Sequence, residues 1–294
     1  MNKNKEYFDP KTNKFPYTKY TDEHYLVVKK DNGLVYDENY PYLDNSQSFR
    51  FKKKMTKFLL LTIVFPLTRV KLGLKIEGKE NLKKHKEELA NGVISISNHI
   101  HMWDYLCVYS ALRKYTLNVI VWNKNISGEN GKMIRSVGGI PIPENNNLKA
   151  MKKYNEAIDE ILNTPNNILH ICAEGSMWEY YAPIRPFKTG AAHYAIKTNK
   201  PILPLGFSYR KPNWFRRLFK QIACFTLTVG EPIYPNANLD RSEAKLDLTV
   251  RAHDAVCRLA KIDPKKNIYP PVFDHNERID YYTSTYGVGY KKGH

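Results

Sequence analysis

Val93-Ile94-Ser95-Ile96-Ser97-Asn98-His99-Ile100-His101-Met102-Trp103-Asp104 joins a short β-prone run to a polar turn, and the residues after it read as a helix over 105–114. The same change of period recurs downstream. Apolar, β-branched runs at 117–122, 168–173, 202–208 and 225–229 have the length and composition of strands. Helical spacing appears at 189–198, and at 149–162 where Met151, Tyr154, Ile158 and Ile161 share one side. Short strands alternating with helices predict an α/β fold: a single domain with a largely parallel mixed sheet flanked by helices. No internal repeat is visible.

Open α/β sheets place their chemistry at strand ends, which is where His99 and Asp104 fall. Histidine takes up a proton near neutrality, and a carboxylate beside it fixes the ring tautomer and stabilises the imidazolium. Residues five apart on a regular helix lie about 140° around its axis from each other. Contact therefore requires His99 in the turn before the helix and Asp104 in its first turns. The free amides and positive dipole end of the helix then lie beside the reacting groups.

The 294 residues are 42% hydrophobic and 26% charged, which suits a folded domain, and the net charge of +17 calls for an anionic partner. Nucleic acid, an anionic membrane leaflet and phosphorylated substrates all meet that description. Cys107, Cys172, Cys224 and Cys257 are scattered without a CxxC pair, which predicts a reducing compartment and no zinc ribbon. Residues 1–50 form a polar, tyrosine-rich extension without the pattern of a secretory signal.

Residues 51–75 hold the most apolar run, Phe58 to Leu67, between Lys52, Lys53, Lys54 and Lys57 on one side and Arg69, Lys71 and Lys75 on the other. That run is about half the length a spanning helix needs. It suits a segment lying in an anionic interface, with Lys53, Phe58, Leu61 and Phe65 as contacts; a buried core helix is the competing expectation. A second basic, aromatic stretch at 214–222 offers Trp214, Phe215, Arg216 and Phe219 to a membrane, or an amphipathic helix to its own domain. The organisation expected is therefore an extension over 1–50, an N-terminal membrane-interfacial segment over 51–75, the α/β domain over 76–262, and an irregular tail over 263–294 rich in Pro, Tyr, Gly and Lys. The expected location is cytoplasmic, peripherally attached to the membrane.

Asn98-His99 and Asp104 resemble the HxxxxD motif of the glycerolipid acyltransferases, the group that includes 1-acylglycerol-3-phosphate acyltransferases. Gly138-Gly139-Ile140-Pro141-Ile142 is similar to that family's second block, Glu174-Gly175-Ser176 to its third and Pro201-Ile202-Leu203-Pro204-Leu205 to its fourth, in the family's order. Phe187-Lys188-Thr189-Gly190 and Val229-Gly230-Glu231-Pro232-Ile233 also resemble recurring segments. The resemblance implies that His99 deprotonates an acceptor hydroxyl while Asp104 orients the ring. It implies a donor that is acyl-CoA or acyl carrier protein, a lysolipid acceptor, and no cofactor or metal. Amides near Gly139 or Gly175 are candidates for holding the oxyanion.

Two arginines of the family pattern are absent. Pro143 and Glu144 follow the second block, and Met177 and Trp178 follow Ser176. Among local cations, Arg135, Lys149, Arg185 and Lys188 are the substitutes, and Arg185 is within chain reach of Glu174. The substrate-binding set is thus Gly139, Pro141, Glu174, Gly175, Ser176, Arg185 and Lys188, with Glu174 equally suited to anchoring a loop through backbone amides. Two rival readings remain. His99, His101 and Asp104 hint at a metal-dependent hydrolase, completed by His170 or His193. A basic nucleic-acid-binding protein accounts for the charge and the 21 tyrosines but not for the ordered blocks.

Overall fold

Among the described residues, seven strands build one sheet: β1 (Lys75–Glu77), β2 (Val93–Ser97), β3 (Thr116–Val121), β4 (Gly139–Pro141), β5 (Asn167–Cys172), β6 (Ile202–Arg210) and β7 (Cys224–Val229), in the spatial order β1-β7-β6-β2-β5-β3-β4. The computed structural model describes residues 32–144, 147–178, 181, 183–218, 221, 223–265 and 267. Neighbouring strands are parallel except β6 and β7, which run antiparallel from Leu205↔Val229 to Arg210↔Cys224. The mixed, largely parallel α/β sheet expected from the alternation is the one observed.

β2 is central and buried along its whole length, so its two faces feed two cores. Val93 joins Leu203, Leu205, Phe207 and Leu227 on one face, covered by the helices Asp104–Ala111 and Phe65–Leu72. Ile94 and Ile96 join Leu169 and Ile202 on the other, under the helices Leu148–Asn163, Gly190–Thr198 and Arg241–Leu259. Burial on both faces is what covering helices demand of parallel strands.

Elements outside the expected set have physical reasons for being hard to see. β1 and β4 have three residues each, too few for a period to show. The helix Arg241–Leu259 buries only a narrow stripe, including Ala244, Leu248, Ala252 and Val256, while Leu246 and Val250 face outward. Its start was written in Asp240, whose carboxylate accepts from the amides of Ser242 (2.7 Å) and Glu243 (2.9 Å).

The basic, apolar segment is continuously helical from Gln47 to Leu72, beginning before residue 51. Pro66 has no N–H to give the ladder, and the helix widens into a π turn over Leu60–Val64 just before it. Residues 32–45 pack against the domain. The Tyr36 hydroxyl meets Ser127 Oγ at 2.8 Å, and Arg135 donates to the carbonyls of Pro41 and Tyr42. At the other end, Asn267 clasps the backbone of Ile184 from both sides, at 2.8 and 3.1 Å.

Candidate active site

The end of β2 is spliced to β6 by a side chain. Asn98 donates to the Phe207 carbonyl (3.2 Å) and accepts from the Phe207 amide (2.8 Å), so its amide group continues the ladder where the backbone turns away. His99 follows in that turn. Asp104 opens the next helix, five residues on, and its Oδ2 accepts hydrogen bonds from His99 Nδ1 at 2.6 Å and the Ile100 amide at 3.0 Å. The geometry is the one demanded by the spacing: histidine before the helix, carboxylate in its first turn. Asp104 is buried, whereas the His99 side chain remains 24% exposed.

Charge follows from that packing. Burial pulls the imidazole of His99 down, but the Asp104 carboxylate and the Cys172 sulfur outweigh it and leave the pKa well above the ordinary 6.5. Asp104 is pushed up by burial and held below its ordinary value by His99 and the Ile100 amide. With Nδ1 committed to the carboxylate, Nε2 is the nitrogen left to exchange a proton with a substrate.

A second shelf is supplied from the end of β5. Glu174 Oε2 accepts the His99 backbone amide at 2.8 Å, and its Oε1 accepts the Arg185 amide at 2.7 Å. The Arg185 guanidinium returns to Glu174 Oε2 at 3.1 Å and to Ser176 Oγ at 2.5 Å, and stacks over Trp178 with 4.5 Å to the ring centroid. Glu174 and Arg185 are almost wholly buried, so this ion pair is a fixed part of the wall carrying His99. Trp178 adds its backbone amide to the His99 carbonyl at 3.2 Å.

Residues 73–208 match the family model described as Acyltransferase. The chain carries an acyltransferase-family domain. No curated protein matches the chain. Among solved structures it is similar to the 1-acyl-sn-glycerophosphate (LPA) acyltransferase PlsC from Thermotoga maritima, at 17% identity and a TM-score of 0.42, over 72% of this chain and 84% of that one.

Within the acyltransferase domain, His99, Asp104, Glu174, Ser176 and Arg185 form one connected group. Gly175 lies on its rim with φ +81°, and its amide closes a turn onto the Cys172 carbonyl at 3.0 Å, which removes it as an oxyanion donor. Lys188 is exposed with its stem beside Gly175, and its amide holds the Ala173 carbonyl at 2.8 Å. Gly139 and Pro141 are not brought to the dyad. They sit on β4, three strand positions from β2, or about 14 Å at the usual strand spacing. Gly138 before it has φ +100°, and a Cβ on it would lie 2.4 Å from the Leu117 carbonyl, while a Cβ on Gly139 would lie 2.7 Å from the Ile134 carbonyl, so the double glycine serves close packing on a strand and on a helix.

The substitutes for the absent arginines divide as well. Arg185 is spent on Glu174 and Ser176, and Arg135 on the carbonyls of Pro41, Tyr42 and Gly139. Met177, where an arginine was expected, is buried, and Trp178 beside it packs under Arg185. The metal reading loses His101, whose Nδ1 accepts the Trp103 amide at 3.0 Å. Among the described residues the group with metal-ligating atoms within 4.8 Å of one another is His99, Asp104 and Cys172. Cys172 carried no signal in the sequence beyond its place at the end of an apolar run.

The two basic, apolar segments meet. Arg216 Nη1 donates to the Val70 carbonyl at 2.6 Å, which ties the helix Trp214–Leu218 to the end of the helix Phe65–Leu72. Phe58, Leu61, Ile63, Leu67, Val70, Trp214 and Phe215 are exposed there. Phe65 is not part of that surface: it is buried, 5.6 Å from the Tyr109 ring. Lys53 also turns inward, with Nζ 3.4 Å from Asn118 Oδ1. Phe219 lies outside the described residues. Among the described residues no helix is long and apolar enough to cross a membrane.

Proposed function

We propose that the chain transfers a fatty acyl group from a thioester donor, acyl-CoA or acyl carrier protein, to a hydroxyl of a lysophosphatidic acid-like lysolipid at a membrane surface. The observation that carries this reading is the 2.6 Å contact between His99 Nδ1 and Asp104 at a helix N-terminus. Nε2 is then free to take the proton from the acceptor hydroxyl, which is a poor nucleophile until a base removes it. The hydroxyl oxygen attacks the thioester carbonyl, the C–S bond breaks, and the imidazolium returns its proton to the departing thiolate. Asp104 stabilises the imidazolium between those events.

The exposed apolar strip formed by the two tied helices supports docking on a lipid surface. It borders the catalytic turn, where Met102 is exposed and the Lys71 ammonium sits 3.7 Å from the Trp103 ring centroid. Lys188, whose stem lies beside Gly175, and Lys71, over Trp103, are the cations assigned to an acceptor phosphate in this reading. Purified protein given labelled acyl donors and a panel of lysolipids should form the diacyl product. His99→Ala should abolish transfer with an unchanged thermal melt, and retained turnover in that variant would exclude the mechanism.

A further inference from the structure

Three kinds of ligand atom converge where β2 and β5 end. Cys172 pairs with Ser97 in the β2–β5 register, two residues before His99, and its sulfur, a His99 ring nitrogen and an Asp104 oxygen lie within 4.8 Å of one another. Cys107, Cys224 and Cys257 are buried in the fold, whereas Cys172 is partly open. Thiolate, imidazole and carboxylate form a donor set for a soft or borderline divalent ion, and a poor one for magnesium or calcium, which take oxygen ligands. A thiolate and a carboxylate together also cancel the charge of a divalent ion, which suits a place as enclosed as the side chain of Asp104.

We propose that His99, Asp104 and Cys172 capture a borderline-soft divalent ion such as zinc, and that the captured ion switches acyl transfer off. The inhibition rests on the acyl-transfer reading above; the binding does not. A ring nitrogen, a carboxylate oxygen and the sulfur hold the ion, and the protons it displaces from the thiol and the ring leave to solvent. Water fills the fourth corner on the exposed side of His99. A neutral imidazole carries one proton and one nitrogen lone pair. An ion on Nε2 takes the lone pair of the base itself, and an ion on Nδ1 confines the ring proton to Nε2. Either way no ring nitrogen is left to accept the proton of an acceptor hydroxyl.

Little has to move. On tetrahedral zinc a nitrogen and an oxygen ligand stand about 3.3 Å apart, and a sulfur about 3.6 Å from each. The 2.6 Å contact between His99 Nδ1 and Asp104 Oδ2 has to open and the sulfur has to close in, each by a side-chain movement on the order of 1 Å. The sulfur is steadied from behind by His170, whose Nε2 lies 3.9 Å from it. That ring is pinned in turn by Ser95 Oγ at 3.0 Å and Ser97 Oγ at 3.4 Å.

The test uses the untagged full chain, stripped of metal by a chelator. Cobalt(II) is titrated first, because a thiolate bound to it gives a near-ultraviolet charge-transfer band. One cobalt per chain should produce that band, zinc should abolish it, and Cys172→Ala and Cys172→Ser should both lack it while keeping a folded melt. Acyl transfer by the wild type should fall at least about tenfold when zinc fills the site and return on chelation. Each Cys172 variant, measured against its own metal-free rate, should need about 10–100-fold more zinc for the same loss. No band, a band that persists in the variants, or zinc inhibition that is the same with and without Cys172 overturns the proposal and leaves the acyl-transfer reading standing. Transfer that continues at full rate with zinc in the site overturns the inhibition. A wild type that binds cobalt through Cys172 but transfers no acyl group without metal supports the site and overturns the acyl-transfer reading, and the inhibition with it.

Discussion

Replacing Glu174 with alanine removes one carboxylate from three contacts at once: the His99 amide at 2.8 Å, the Arg185 amide at 2.7 Å and the Arg185 guanidinium at 3.1 Å. The guanidinium left behind is 1% exposed, so water cannot replace the lost partner. Breaking a buried pair from one side costs about 3–5 kcal/mol, a large part of the roughly 5–15 kcal/mol by which a domain is folded. The two orphaned amides belong to the same loss and are not added to it. Urea denaturation should therefore show Glu174→Ala less stable by about 3–5 kcal/mol. Removing both charges, as Glu174→Gln with Arg185→Met, should recover most of that. Turnover measured well below either unfolding transition should fall at least about tenfold in Glu174→Ala, because the backbone of His99 loses its anchor. A Glu174→Ala protein within about 1 kcal/mol of wild type would refute the reasoning, since a surface pair costs no more than that.

The pH profile is a second check. His99 must be neutral to act as a base and its pKa is raised, so kcat/KM should climb with pH through a midpoint above 6.5. Asp104→Asn should lower the plateau by roughly 10²–10⁴-fold and shift that midpoint downward, because burial then acts on the ring with less opposition; an unmoved midpoint would contradict the pairing. Replacing Trp214 and Phe215 together by serine should weaken co-sedimentation with anionic vesicles while turnover on a detergent-dispersed lysolipid is kept, and unchanged binding would remove that surface from the membrane. Asn98→Ala breaks two buried bonds to Phe207 and should cost about 1–3 kcal/mol in urea denaturation, with turnover reduced through the turn that carries His99.

Much of the fold was legible because its signals are local. The strand Val93–Ser97 and its neighbours carry unbroken apolar runs, and the helix Leu148–Asn163 keeps its buried residues at helical spacing. Short β4 and the narrow-striped helix Arg241–Leu259 do not stand out in that way. Phe65 and Lys53 were misplaced as surface contacts for a related reason. The side of a helix that faces the domain depends on where the domain is, and the run from Phe58 to Leu67 is apolar all round.

The sequence by itself determined the dyad, because His99 and Asp104 are separated by a single strand-to-helix turn whose geometry is fixed by the chain between them. It also determined that Glu174 would serve either a ligand or a loop, without choosing. Tertiary structure made the choice, since parallel pairing of β2 with β5 carries Glu174 across 75 residues to the His99 amide, and Arg185 there has no water to compete for it. The same pairing turned Cys172 from one apolar-run thiol among four into a neighbour of the base. No local pattern encodes that neighbour, because strand register is settled by which faces of the sheet can be buried together.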